Sequence, residues 1–187
     1  MEGKSFSKKV MRVEYIIDRT GWGWMGAAVH EGTVAAVILP CDSFEAVLAG
    51  LEGKTGNCRI SPATGSGAAE VFDALVSFLE GKEQEIPYPY TLSGWATPFQ
   101  RAVWETVSKI PYGQTRSYAW VAAQAGSPRG ARAVGQAMRR NPVPLLVPCH
   151  RVIAADGSIG GFTGGIEIKK RLLKLEGSLG SIRGFRY

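Results

Sequence analysis

The hydrophobic pattern of this chain changes its period across one segment that has no period at all. From Lys82 to Trp95 there is no amphipathic repeat, and Pro87 and Pro89 interrupt any regular element, so 82–96 reads as a linker. Upstream, Met11 to Ile17 alternates, Trp22 to His30 follows, and after Glu31-Gly32 the run Thr33 to Leu39 is β-branched and apolar. Runs of this kind separated by turn residues predict a small β-meander. From Ala68 to Glu80 the spacing becomes helical: Val71, Phe72, Leu75, Phe78 and Leu79 form one stripe, and Gly81 stands where a helix C-terminus is capped. Residues 1–90 are therefore expected to form an α/β N-terminal domain, a small antiparallel sheet plus a helix.

A second domain, 97–187, is expected to be mainly α with a helix-turn-helix. Thr97-Pro98-Phe99-Gln100 offers an N-cap, a proline at the first helical position and a capping-box glutamine. Phe99, Val103, Val107 and Ile110 recur on one face, so this helix should run to Lys109 before Pro111. Ser117 can cap a helix that continues through Ala125 and ends at Gly126, and Ser127-Pro128 can start another, Arg129 to Arg140, stopped by Asn141-Pro142. Two short helices across a Gly-containing break match the helix-turn-helix pattern. In the second of them Gly130, Ala131, Ala133, Gly135 and Ala137 are small while Arg129, Arg132, Arg139 and Arg140 are cationic. Glycine inside a helix costs roughly 1 kcal/mol relative to alanine, so something must come close to this face: either DNA or a tightly packed helix.

Charge follows the same division. The 187 residues carry a net +6, yet residues 1–90 hold 8 Lys and Arg against 12 Asp and Glu, whereas residues 91–187 hold 14 against 4. Between Glu105 and Asp156 there is no carboxylate, and the cations are Lys109, Arg116, Arg129, Arg132, Arg139, Arg140 and Arg151. A one-signed field suits a polyanion, although a basic surface kept for solubility would look the same. Apolar residues make up 45% of the chain, which excludes wholesale disorder. No apolar run nears the roughly 20 residues of a membrane span. The first ten residues lack an apolar signal core, so a cytoplasmic protein without a membrane association is expected.

Leu145 to Val147 leads into Pro148-Cys149-His150-Arg151, followed by Val152-Ile153. A buried strand would not normally place Cys-His-Arg at its centre. An imidazole and a cation both favour the thiolate, the reactive form of cysteine, so Cys149 is either a nucleophile or a small buried hydrophobe. Cys41 and Cys58 have no such company, and an odd total of three cysteines leaves at least one thiol free. His30, Cys41 and Cys58 fit no standard four-ligand spacing, so no metal is expected, nor any other cofactor; a Cys41-Cys58 disulfide stays open.

Pro148-Cys149-His150-Arg151-Val152, with Asn141-Pro142-Val143-Pro144 upstream, resembles the active-site signature of the O6-alkylguanine-DNA alkyltransferases, also called methylated-DNA-protein-cysteine methyltransferases. The resemblance extends over roughly 97–180, through Thr97 to Trp104, Tyr112-Gly113, Ser117-Tyr118, Ala131 to Gly135, Met138-Arg139 and Gly164-Gly165. It implies a suicide repair reaction on double-stranded DNA, in which a flipped O6-alkylguanine gives its alkyl group to Cys149. The same resemblance makes His150 the base acting through a water, Glu176 the group that holds its imidazole, and Asn141 the link between the helix-turn-helix and the thiol. Tyr118 would contact the base edge, with Val152, Phe162, Thr163 and Gly164 completing the pocket. Phe162 stands where a tyrosine is common and Thr163 where a serine is usual, departures that bear on alkyl size. Arg132 would fill the space left by the flipped base from the minor groove, with Arg129, Ala131, Gly135, Arg139, Ser117 and Arg151 as further DNA contacts, on a monomer. A Cys-His-Glu hydrolase, a non-catalytic lesion-binding helix-turn-helix protein and a transcription factor that reads an operator are the alternatives.

Overall fold

The computed structural model describes residues 12–56, 58–92, 94 and 96–185. The expected strand start at Met11, the reading of the first ten residues and the linker positions Ser93 and Trp95 lie outside the described residues. Strands β1 (Arg12–Thr20), β2 (Gly23–His30) and β3 (Thr33–Cys41) form the antiparallel meander. The sheet is nevertheless mixed and four-stranded, because β4 (Arg59–Pro62) adds to the far edge parallel to β1, giving the order β3-β2-β1-β4. A purely antiparallel sheet with one helix is thus corrected to a mixed sheet with two.

The additional helix, α1 (Phe44–Thr55), makes the parallel crossover from β3 to β4. Ser43 caps it by accepting from the Ala46 N–H at 3.2 Å, and its Val47 and Leu51 are buried with Val13, Ala28 and Ala36. Gly50 and Gly53 interrupt its helical pattern in the sequence. A Cβ on Gly50 would stand 2.8 Å from Ile38, so this glycine lets α1 lie close on β3. The opposite face of the sheet carries α2 (Ser66–Leu79), with Val71, Phe72, Leu75, Phe78 and Leu79 all buried. Covering both faces explains why β2 is buried along Met25 to Val29 instead of alternating.

The linker is anchored. Val34 N–H donates to Pro89 O at 2.8 Å and Thr91 N–H to Val34 O at 2.9 Å, so the segment around Tyr90 covers part of the β3 edge. Beyond it, α3 (Pro98–Ser108) begins with the full capping box of Thr97 and Gln100. A two-residue strand β5 (Arg116–Ser117) leads into α4 (Tyr118–Gln124), and α5 (Ala131–Arg139) follows; all three helices touch one another. Helix α5 starts two residues later than expected, which leaves Arg129 and Gly130 in the preceding turn. Trp104 Nε1 donates to Ala137 O at 3.0 Å and locks α3 to α5. Strand β6 (Val152–Ile153) pairs in parallel with β5, and α6 (Ile166–Leu175) closes the fold. One hydrophobic cluster runs from Met25 and Val37 in the sheet to Val103, Val134 and Leu172 in the helices. No helix among the described residues is long and apolar enough to cross a membrane.

Cys41 and Cys58 are free thiols, as is Cys149. Cys41 pairs with Trp24, whose β1 partner is Arg19, whereas Cys58 precedes β4 at the opposite end of β1, where Arg59 faces Arg12. About 3.3 Å per strand residue separates those ends far beyond disulfide reach.

Candidate active site

Residues 141–149 form a turn that delivers the thiol. Leu145 takes a left-handed backbone, φ +76°, at a cost of roughly 1–2 kcal/mol that neighbouring contacts must offset. Asn141, 3% exposed, supplies them: its Oδ1 accepts from Val143 N–H at 3.1 Å and its Nδ2 donates to Val147 O at 2.8 Å. The same Nδ2 donates to Cys149 Sγ at 3.3 Å. Cys149 opens a 3-10 turn, Cys149–Arg151, that runs into β6.

His150 is fully buried. Its Nε2 lies 2.7 Å from Glu176 Oε1, and Nδ1 is the buried side-chain nitrogen left without a partner among the described residues. Burial lowers the imidazole pKa, against the pull of Glu176, so the ring is neutral near pH 7. Burial alone would raise the Glu176 carboxyl, but the hydrogen bond from His150 and the Arg151 guanidinium outweigh it and hold it below its usual range. An ionised carboxylate at Nε2 places the ring proton there and leaves the Nδ1 lone pair free to accept.

Arg151 corrects an expectation. It is buried, its Nε and Nη2 donate to Glu176 at 2.9–3.1 Å, and its Nη1 donates to Ile110 O at 2.7 Å. A guanidinium committed to an internal carboxylate does not contact DNA. Gly113 N–H also donates to Glu176 Oε2, at 3.2 Å. This network predicts acid lability. The unfolded chain protonates His150 near its ordinary pKa of 6.5 while the folded chain does not, so stability falls as pH drops below about 6.5. Protonation of Glu176, below its ordinary 4.5, removes a further contribution. Urea midpoints measured between about pH 8 and 5 should fall with pH, and His150→Gln should flatten the upper part of that decline; a flat wild-type curve contradicts the assignment.

Cys149 borders a cavity of about 660 Å³ together with Tyr118, Ala131, Arg132, Gly135, Arg139, Phe162 and Thr163. A smaller one, about 280 Å³, also reaches Cys149 and is walled by β3, Pro144 and Gly164. Arg129, Arg132 and Arg139 are exposed, and Arg132, Gly135 and Arg139 lie on the α5 face at the mouth of the larger cavity. Ser117 Oγ is committed to the α4 cap, accepting from Trp120 N–H at 3.1 Å. Tyr118 OH donates to Gly161 O at 3.0 Å, and burial first, then the charge of Cys149, raises its pKa, keeping it a donor. Val152, expected in the pocket wall, is fully buried and lines neither cavity; its carbonyl accepts from Lys169 Nζ at 2.6 Å.

Burial raises the Cys149 pKa; the Asn141 hydrogen bond and then the charges of Lys54 and Lys169 oppose it. Helices α3 to α6, the turn and the thiol fall within a match, over residues 98–178, to the family described as 6-O-methylguanine DNA methyltransferase, DNA binding domain. A methylated-DNA-protein-cysteine methyltransferase of Mycobacterium bovis is 46% identical over 117 residues, 63% of this chain and 68% of the relative. The chain belongs to the methylated-DNA-protein-cysteine methyltransferase family. A methyltransferase of that name from Methanosarcina acetivorans is 52% identical over 82 residues, 44% of this chain and 53% of the relative. The crystal structure of Mycobacterium tuberculosis OGT in complex with DNA superposes with a TM-score of 0.72 at 34% identity, covering 89% of this chain and 94% of that one. Matches to the first curated family members span 53–65% of their lengths.

Two buried lysines near the thiol escaped the sequence reading. Lys169 is fully buried, donating to Val152 O and, at 3.3 Å, to Gly161 O. Its signal was present: Lys169 shares the apolar stripe of α6 with Leu172, Leu173 and Glu176, at spacings of three, four and seven. Lys54 sits in α1, a helix the sequence reading left unassigned.

Proposed function

We propose that this protein repairs DNA by transferring the alkyl group of O6-alkylguanine irreversibly to Cys149, once per molecule. The observation that carries this reading is that the buried Cys149 opens onto the same cavity as the arginine-bearing face of α5. The division into a 1–90 support domain and a 97–187 reactive domain, acting as a cytoplasmic monomer, belongs to the same proposal.

In this mechanism His150 Nδ1 takes the Cys149 proton through a bridging water, while Glu176 holds Nε2–H. The thiolate attacks the alkyl carbon, the C–O bond breaks, and its electron pair passes to guanine O6 and the ring. The thiol proton reaches the departing guanine, leaving a thioether on Cys149. Tyr118 would exchange its Gly161 acceptor for the base edge. The carbonyls of Cys149 and Val152 already accept from Val152 N–H and Lys169 respectively, and each keeps a second lone pair for the guanine amino group. Mass spectrometry of the Cys149 peptide after incubation with an O6-methylguanine duplex tests the reaction. Repeated turnover, or a consumed lesion beside unmodified Cys149, sinks it.

Helices α4 and α5 serve in this reading as a helix-turn-helix whose second helix enters the minor groove, with Arg132 filling the space of the flipped base. Gly135 supports the approach, since a Cβ there would meet nothing within 4 Å inside the protein. Internal packing therefore does not require this glycine. Gly135→Ala should stabilise the fold by up to about 1 kcal/mol, whereas Gly135→Leu should weaken duplex binding in fluorescence anisotropy; unchanged affinity in the Leu variant rejects the docking. A Cys-His-Glu hydrolase would have no use for this arginine face.

A further inference from the structure

The turn that carries Asn141 is held from the N-terminal part at two successive carbonyls. Val37 N–H, on the edge of β3, donates to Pro142 O at 2.9 Å. Lys54, in the last turn of α1, donates through Nζ to Asn141 O. Asn141 is the residue whose side chain donates to Cys149 Sγ, so the lysine and the thiol are joined through a single residue. Lys54 also lines the smaller cavity with Cys149, and no carboxylate lines that cavity.

We propose that Lys54 is a positioning residue of alkyl transfer, which fixes the Asn141 main chain and places a cation beside the Cys149 sulfur so that the thiolate is favoured. The N-terminal part then completes the electrostatics of the reactive site as well as supporting it. This inference rests on Cys149 being the alkyl acceptor.

The charge balance is consistent with that role. Burial lowers Lys54, the charge of Cys149 opposes it, and the balance at about 8 keeps the lysine largely a cation at neutral pH. The other titratable or charged groups around the sulfur are His150 beside it in the chain, Tyr118 from α4, Arg132 and Arg139 from α5, Lys169 from α6 and Cys41 from β3. Lys169 is anchored to Val152 O and Gly161 O, on the guanine side of the site. Lys54 approaches from the Asn141 side, so the two lysines have separate partners.

The test is single-turnover transfer from an O6-methylguanine duplex to Cys149, followed across about pH 6 to 9, in wild type, Lys54→Met, Lys54→Gln and Lys54→Arg. Methionine keeps the aliphatic stem without charge or donor, glutamine keeps a donor without charge, and arginine keeps both. Losing one nearby cation should raise the apparent Cys149 pKa by about one unit and slow transfer roughly tenfold at neutral pH in the Met and Gln variants. Their rates should converge on wild type as pH rises, duplex affinity should be unchanged, and arginine should restore the neutral rate. Wild-type rates and pH profiles in the folded Met or Gln variant overturn the proposal. So does a loss that is equal at every pH and not rescued by arginine, which marks a tether alone. A wild-type protein that leaves Cys149 unalkylated defeats the acceptor reading instead, so the two failures are distinguishable.

Discussion

Glu176→Ala is expected to destabilise the fold by about 3–5 kcal/mol, the largest stability loss of any single substitution at the site. The carboxylate accepts from His150 Nε2, from Arg151 Nε and Nη2, and from Gly113 N–H. Removing it leaves a buried guanidinium with Ile110 O as its remaining hydrogen-bond acceptor and a buried imidazole with neither nitrogen satisfied. Thermal or urea unfolding measures the effect, and an Ala variant that melts with the wild type refutes the network. Glu176→Gln preserves the volume and separates chemistry from folding. A neutral amide no longer fixes the proton on Nε2, so transfer should slow by about 10²-fold while more of the stability is retained.

Cys149→Ser should abolish alkyl transfer and leave duplex binding intact. A serine hydroxyl is not ionised by a neutral histidine acting through water, and no second thiol lines the larger cavity among the described residues, since Cys41 lines only the smaller one. In the proposed docking, binding depends on the α5 face, which the substitution does not touch. Residual transfer to another residue, detected by mass spectrometry of the whole digest, would reassign the acceptor. The cavities of about 660 and 280 Å³ beside the sulfur leave room for an added methyl group.

The features read correctly from the chain are those whose partners lie close in sequence. Thr97 and Gln100 are three residues apart and form their capping box as written. Val71, Phe72, Leu75, Phe78 and Leu79 keep one helical face, and Gly81 follows that helix with φ +74°. Cys149 and His150 are adjacent, so the candidate pair was visible along the chain. Helix α1 was missed because Gly50 and Gly53 hide its short apolar stripe, and β4 because four residues ending in proline show little alternation. The burial of Arg151 was missed because its carboxylate lies 25 residues away.

By itself, then, the sequence determined the two kinds of period, the basic half of the chain and the Cys149-His150-Arg151 triplet as a candidate, since local sterics and composition are written along the chain. The tertiary structure alone decided that Glu176 meets His150 across 26 residues and that Lys54 meets Asn141 across 87. It also decided which arginines stand exposed beside the cavity and which is spent inside. Burial, which shifts the Cys149, His150, Lys54 and Lys169 pKa values, is a property of the packed core rather than of any segment.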